Sequence, residues 1–263
     1  MPELPEVETV VRSVAPHALG RTILDVELFS IRVTRGGLRK TAAALRGLVI
    51  RDIRRRGKQI FFDLDRGVLY IHLGMTGKLL WDGLPGKHTR AAFHLDTGTL
   101  LYDDVRQFGR VEFFPEMPDS LERVGPDALQ VGFEEFYARL KKHSGLIKPL
   151  LLNQTFICGI GNIYADEALF AARIHPRASV RRISEKRAKE LHDSILAILH
   201  AAIEHRGSSI SDYVDTAGQR GGFQVLHCVY GRAGESCTRC GALIRRIVLG
   251  QRSTHYCPRC QRP

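Results

Sequence analysis

The sequence predicts an α+β chain: an N-terminal β-sandwich with flanking helices, a helical middle and a small β-hairpin tail. Three observations predict it. Residues 22–114 carry short apolar runs broken by glycine-bearing turns. Residues 131–207 carry apolar residues at helical spacing. The tail holds two Cys-x2-Cys pairs. The boundaries that follow are 1–115, a linker at 116–130, a second domain at 131–227 and a tail module at 228–263.

The first element is a helix. Val7, Val10, Val11 and Val14 fall at i, i+3, i+4 and i+7, one helical face. Pro5 suits a first turn, and Pro16 with Gly20 should end the helix. Strand-like runs follow at Thr22–Leu28, Leu48–Ile53, Gln59–Leu64, Val68–Leu73, Lys78–Trp81, Ala91–Leu95, Thr99–Tyr102 and Arg110–Phe114. Asp65-Arg66-Gly67 and Asp96-Thr97-Gly98 read as hairpin turns, and many short strands with such turns make a sandwich. Pro115, Pro118, Gly125 and Pro126 mark the linker. Beyond it, Phe133, Phe136, Tyr137 and Leu140 share one helical face, and Leu191, Ile195, Ile198, Leu199 and Ala202 share another. Ser184 suits the second helix as N-cap and Gly207 as its stop. Gly159-Ile160-Gly161-Asn162 opens a further helix at Ile163–Arg173. Gly218, Gly221 and Gly222 lie in a loop with little apolar content, expected to be mobile.

Composition narrows the function. The chain has 263 residues, 44% of them hydrophobic, and a net charge of +11. A basic protein with a real core meets a polyanion, nucleic acid first. The start is acidic, with Glu3, Glu6 and Glu8, and no apolar stretch follows a basic start, so no secretory signal is expected. No segment approaches the roughly 20 apolar residues of a membrane span. The expected compartment is a reducing cytoplasm, where clustered cysteines bind metal.

Cys237-x2-Cys240 and Cys257-x2-Cys260, separated by sixteen residues, have the spacing of a tetrahedral zinc site on a hairpin. Four protein thiolates close the site, so the zinc is structural. Seven arginines (232, 239, 245, 246, 252, 259 and 262) accompany a single acid, Glu235, in this tail, a pattern for phosphate contact. Cys158 and Cys228 are left over and read as small buried hydrophobes.

Five other stretches carry chemistry. Removal of Met1 would leave Pro2 with a free secondary amine, more often neutral at pH 7 than a lysine, and such an amine is a nucleophile for a sugar carbon or aldehyde. Glu3 beside it can move protons. The backbone N–H groups of residues 159–162, at a helix start, can cradle phosphate. Arg54, Arg55, Arg56 and Lys58 follow a strand. Such a run is usually a solvated edge, but Gly57 lets the backbone approach a ligand. His72-Leu73-Gly74-Met75-Thr76-Gly77 and Asp104-Val105-Arg106-Gln107-Phe108-Gly109-Arg110 are glycine-flanked loops with apolar tips, suited to wedge into a base stack. An enzyme that works on one base must extrude it, and something must fill the hole.

These motifs together resemble the formamidopyrimidine-DNA glycosylase family. The resemblance rests on PELPEVE at the start, Gly57-Lys58, HLGMTG, DVRQFGR, GIGNIYADEALF, Val229-Tyr230-Gly231-Arg232 and the four cysteines, and spans nearly the whole chain. It implies a β-sandwich, a helix-two-turn-helix domain and a zinc finger, with DNA between the domains. It implies Pro2 as nucleophile, Glu3 as the acid that opens the sugar, and Lys58 as a phosphate-holding active-site residue. His72, Asn162 and Arg252 would grip DNA. Met75, Arg106 and Phe108 would occupy the vacated duplex, Arg106 facing the orphaned cytosine. Glu6, Thr216, Arg220 and Phe223 would lie about the damaged base. Gln59 departs from the family pattern, in which an aromatic residue follows the lysine.

The resulting expectation is a bifunctional glycosylase and abasic-site lyase of base excision repair. It would excise 8-oxoguanine and formamidopyrimidines opposite cytosine by β,δ-elimination. It would act as a monomer on double-stranded DNA, near the bacterial nucleoid, with one structural Zn2+ and no membrane. The rival within the class is an endonuclease VIII-like enzyme for oxidised pyrimidines. Leu4 and the full Met75, Arg106, Phe108 set speak against it. The rival outside it is a non-catalytic zinc-finger DNA-binding protein, which would not need Pro2 and Glu3.

Overall fold

The computed structural model describes residues 1–210 and 212–262, with Glu122 described by its backbone alone. The chain divides into two units: Met1–Glu122 with Ile203–Gln224, and Arg123–Ala202 with Val225–Pro263.

In the first unit, helix α1 (Leu4–Ala18) precedes β1 (Ile23–Leu28), α2 (Leu38–Leu45), β2 (Ile50–Arg56), β3 (Gln59–Leu64), β4 (Val68–His72), β5 (Gly77–Trp81), β6 (Thr89–Leu95), β7 (Gly98–Asp104), β8 (Arg110–Phe114) and the short α3 (Asp119–Glu122). Two four-stranded antiparallel sheets form, ordered β1-β6-β7-β5 and β2-β3-β4-β8. Their inner faces meet in one core, with Phe93 and Tyr102 from one sheet, Phe62 and Ile71 from the other, and Val10 and Val14 from α1. The alternation read in the sequence is this inward face.

Several elements differ from expectation. Helix α1 runs through Pro16 to Ala18. Proline removes only one donor, and Gly20 at φ 76° then turns the chain. Arg54–Arg56 do not follow a strand but lie within β2, and Gly57-Lys58 form the tight β2–β3 turn, with Arg56 paired to Gln59 and Gly57 at φ 59°. Helix α2 is short and turns one narrow stripe inward, Leu38, Thr41, Ala42 and Leu45 at i, i+3, i+4 and i+7, with Thr41 and Leu45 buried; the sequence reading passed over it. The segment Ile203–Gln224 belongs to the sandwich unit and sends Tyr213 into the sandwich core.

The second unit holds α4 (Phe133–Lys141), α5 (Ile147–Leu152), α6 (Asn162–Ala171), a 3-10 turn at Val180–Arg182 and α7 (Glu185–Glu204) as far as Ala202. Ser184 caps α7, its Oγ accepting the Arg187 N–H at 3.4 Å. A hairpin of β9 (Arg245–Leu249) and β10 (Arg252–Tyr256) closes the unit. Its two-residue turn puts Gly250 and Gln251 at φ 53° and 61°, the pattern that suits right-handed strand twist.

Candidate active site and metal centre

The N-terminus is fixed by a helix start. Glu3 is the N-cap of α1 and Glu6 its third residue, and they form a capping box in which the Glu3 N–H donates to Glu6 Oε2 at 2.7 Å. Pro2 and Glu3 are buried, while Met1 stands outside the helix, half exposed. Glu6 is itself buried, and its other oxygen accepts the Ser208 N–H at 2.7 Å. Glu6 therefore ties the N-terminus to the segment after α7. Nothing larger than hydrogen fits at Gly207, where an added Cβ would lie 2.6 Å from Glu6 Oε1.

Lys58 is presented by the β2–β3 turn. Arg55 sets that turn from below: its side chain is 5% exposed, its Nε donates to Glu8 Oε2 at 2.8 Å, and its Nη1 donates to the Gly57 carbonyl at 2.9 Å. The α1 helix and the Lys58 turn are thus pinned together by one guanidinium. Beside them, His72 is pushed down to about 4 by burial and by the Lys58 and Arg110 charges. Its Nδ1 accepts the Gly74 N–H at 3.0 Å, so the neutral ring carries its proton on Nε2, free to donate.

Met75 and Phe108 are exposed at the tips of two loops, and the Arg106 guanidinium lies 4.6 Å over the Phe108 ring. The loop expected to be mobile is instead densely bonded. Asp215 Oδ1 accepts the Ala217 and Gln219 N–H groups, Ser209 Oγ accepts that of Gly221, and Trp81 N–H donates to the Thr216 carbonyl. Thr216 and Phe223 are buried at 3% exposure, and Arg220 donates to the Ser209 carbonyl at 3.0 Å. Of the three loop residues assigned to the damaged base, only Arg220 faces solvent in this arrangement.

In the second unit, Asn162 opens α6, and its Nδ2 donates to the Ser253 carbonyl at 2.9 Å. This brings Asn162 next to the exposed Arg252 at the start of β10, the pair expected to grip phosphate. Underneath, Lys148 and Asp166 are wholly buried with Nζ 2.7 Å from Oδ1. Lys148 also donates to the Ser253 carbonyl and Thr254 Oγ1, and Asp166 Oδ2 accepts the His255 N–H. Glu167, the next residue of α6, accepts the N–H groups of Cys228, Val229 and Tyr230 at 2.8–3.0 Å. Two adjacent acids of one helix hold the two ends of the tail module.

Family models match the chain in order: the formamidopyrimidine-DNA glycosylase N-terminal domain over residues 1–111, the H2TH domain of the same enzyme over 124–214, and a zinc finger found in FPG and IleRS over 234–263. A formamidopyrimidine-DNA glycosylase of Solibacter usitatus is 54% identical over the whole of both chains. The chain belongs to the formamidopyrimidine-DNA glycosylase family. Another such enzyme, of Brevibacillus brevis, is 44% identical over all of this chain and 99% of its own. The crystal structure of the MutM (Fpg) protein of Thermus thermophilus superposes with a TM-score of 0.90 at 40% identity, covering 99% of this chain and 98% of that one. A Lactococcus lactis FPG variant, solved with a Fapy-dG containing DNA, gives 0.92 at 39% identity over both full chains.

The family's zinc finger is borne by the cysteines. The four Sγ atoms of Cys237, Cys240, Cys257 and Cys260 lie within 4.8 Å of one another, with Cys237–Cys260 at 3.9 Å and Cys240–Cys257 at 3.4 Å. A tetrahedron of Zn–S bonds of about 2.3 Å needs sulfurs about 3.8 Å apart, so the set fits one structural zinc. The Ala242 N–H holds the Cys240 thiol down to about 7, while burial pushes Cys257 up and Cys260 up to about 12, so the cation's own charge has to complete the deprotonation of the set. Cys158 is buried as expected. Cys228 is partly buried, packed against the small core formed by Phe170, Val229 and Ile244. Among the described residues no helix is long and apolar enough to cross a membrane.

Sequence reasoning missed Arg55, Glu8, Lys148, Asp166 and Asp104. Arg55 and Glu8 lie in charged runs that read as solvated surface, Lys148 and Asp166 take partners 105 and 89 residues away in sequence, and Asp104 was quoted only as the start of a loop.

Proposed function

We propose that the chain is a bifunctional DNA glycosylase and abasic-site lyase. It removes 8-oxoguanine and formamidopyrimidines opposite cytosine, as a monomer acting on duplex DNA at the nucleoid of a bacterial cytoplasm. One observation carries the reading: Pro2 and Glu3 are buried at the capped start of α1 while Met1 lies outside the packed helix. Loss of Met1 breaks no core contact and frees the Pro2 nitrogen. The positive end of the helix dipole disfavours protonation of that amine, leaving it nucleophilic.

In the reaction, the Pro2 lone pair attacks C1′ of the damaged nucleotide and the glycosidic bond breaks, its electrons leaving with the base. Glu3 supplies a proton to the sugar oxygen as the ring opens. The resulting iminium acidifies the C2′ protons, so β-elimination expels the 3′ phosphate and δ-elimination the 5′ phosphate. Lys58, His72, Asn162 and Arg252 hold phosphates. Met75 and Phe108 fill the vacated stack, and Arg106 reads the orphaned cytosine. Arg220, Thr216 and Phe223 belong to the segment that covers the base, with Glu6 anchoring it. The zinc holds the tail hairpin and takes no part in the chemistry.

Borohydride tests this directly. An iminium is reducible, so a stable protein–DNA adduct should form on duplex containing 8-oxoguanine opposite cytosine, with peptide mapping on Pro2. Excision without an adduct, or an adduct on a lysine, refutes the assignment.

A further inference from the structure

We propose that Asp104 is a positioning residue that locks the two wedge loops into one reading head, so that preference for the base opposite the lesion depends on this buried carboxylate. The inference rests on the glycosylase reading and deepens it.

Asp104 ends β7 and is fully buried. Its Oδ1 accepts the Thr76 hydroxyl at 2.5 Å and the Arg106 N–H at 3.2 Å. Its Oδ2 accepts the Gly109 N–H at 2.8 Å and the Tyr102 hydroxyl at 3.4 Å. Thr76 follows Met75 in one loop, while Arg106 and Gly109 bracket Phe108 in the other. A single carboxylate therefore bonds both loops, and the Arg106 N–H reaches Thr76 Oγ1 as well, at 3.0 Å.

Backbone packing makes the same point independently. A Cβ on Gly74 would lie 2.6 Å from the Gly109 nitrogen, and one on Gly109 would lie 1.7 Å from the Tyr102 hydroxyl oxygen and 2.6 Å from the His72 carbonyl. The loops touch main chain to main chain, which is the physical reason glycine stands there. Gln107, at φ 54° between the two side chains that matter, is anchored from outside by the Ser30 hydroxyl, which donates to its Oε1 at 2.6 Å. The hub is rigid and inward, and its payload faces solvent.

Such a carboxylate works only as an acceptor. Asp104→Asn keeps the volume but turns one oxygen into an N–H2 donor facing N–H and O–H donors. At least one loop must then shift. Directional reading by Arg106 tolerates less displacement than space-filling by Met75, so discrimination should fall before binding does.

The experiment uses the full-length, zinc-loaded protein. Single-turnover excision of 8-oxoguanine is measured opposite dC and opposite dA for wild type, D104N, T76V and Y102F. Borohydride trapping on a single-stranded abasic oligonucleotide, which has no partner base, runs alongside. D104N should lower the dC-over-dA ratio by about tenfold or more, with trapping on the single strand falling far less. T76V and Y102F, each missing one bond to the hub, should show smaller drops of the same kind. An unchanged ratio in folded D104N overturns the inference, and so does an equal loss on duplex and single strand. If D104N fails to fold, unchanged ratios in both T76V and Y102F overturn it. Wild-type protein that excises nothing overturns the glycosylase reading itself.

Discussion

Replacing Lys148 by methionine should loosen the phosphate-gripping face of the second unit. Lys148 is wholly buried; its ammonium lies 2.7 Å from Asp166 Oδ1 as an ion pair and donates hydrogen bonds to the Ser253 carbonyl and Thr254 Oγ1. Methionine fills much of the volume, so cavity formation contributes little. What remains is an Asp166 carboxylate with no counter-charge from lysine, held through the His255 N–H and ring. Breaking a buried pair by removing one partner costs about 3–5 kcal/mol. Removing both, as in K148M/D166L, takes out the stranded charge and should be the milder change by about 1–3 kcal/mol. Urea unfolding of the zinc-loaded protein gives both numbers. Fluorescence anisotropy with an abasic duplex gives the consequence, because Asn162 bonds the Ser253 carbonyl that Lys148 also holds. Affinity should fall about tenfold or more for a register shift of that strand worth at least 1.4 kcal/mol. A K148M protein within 1 kcal/mol of wild type, or a double variant as damaged as the two singles summed, refutes the account.

Three further outcomes follow from the geometry. Arg55→Met should cost about 2–3 kcal/mol and reduce excision by displacing the Lys58 turn. Arg55→Lys should restore stability more than activity, since one ammonium cannot bridge Glu8 and the Gly57 carbonyl as a guanidinium does, and equal recovery of both counts against it. One Zn2+ should be found per chain by mass spectrometry under native conditions, and Cys240→Ala should release it and abolish tight DNA binding while the near-ultraviolet signal of Trp81 persists; tight binding without metal refutes the structural role. Stability should fall with acid. His72 and His227 are pushed down to about 4, burial being the main cause. The unfolded chain then binds protons first, so their contribution is whole above pH 6.5 and is lost on descent toward pH 4. Between pH 7.5 and 5 this amounts to about 2 kcal/mol for each histidine, and an unfolding free energy flat over that range contradicts it.

The cysteine ligands and the strand runs were legible because their signals are local: a two-residue spacing, an alternation, a turn. Gln59–Leu64 and Arg110–Phe114 are strands at the expected residues. What was illegible depends on partners far away in sequence. Glu6 meets Ser208 across a separation of 202 residues, and Lys148 meets Thr254 across 106. No window of sequence contains both ends of such a bond. Arg55 looked like part of a solvated run with Arg54, whose side chain is 43% exposed; only the strand's alternation turns Arg55 inward against Glu8. Phe223 and Thr216 looked loop-like, and their loop is a web of backbone bonds that composition does not encode.

The late segment that completes the sandwich also bears on how the protein is made. Synthesis from the N-terminus delivers both sheets by residue 122, yet Tyr213 and the Ser208 N–H that Glu6 awaits arrive only after about 90 more residues. At about 5–20 residues per second that is a delay of roughly 5–18 s. During it the nascent sandwich has an unfilled apolar socket and a buried carboxylate short of one partner. Folding of the first unit is therefore timed by the translation of the second, and the nascent chain is most exposed to chaperones and proteases while the helices in between are being read.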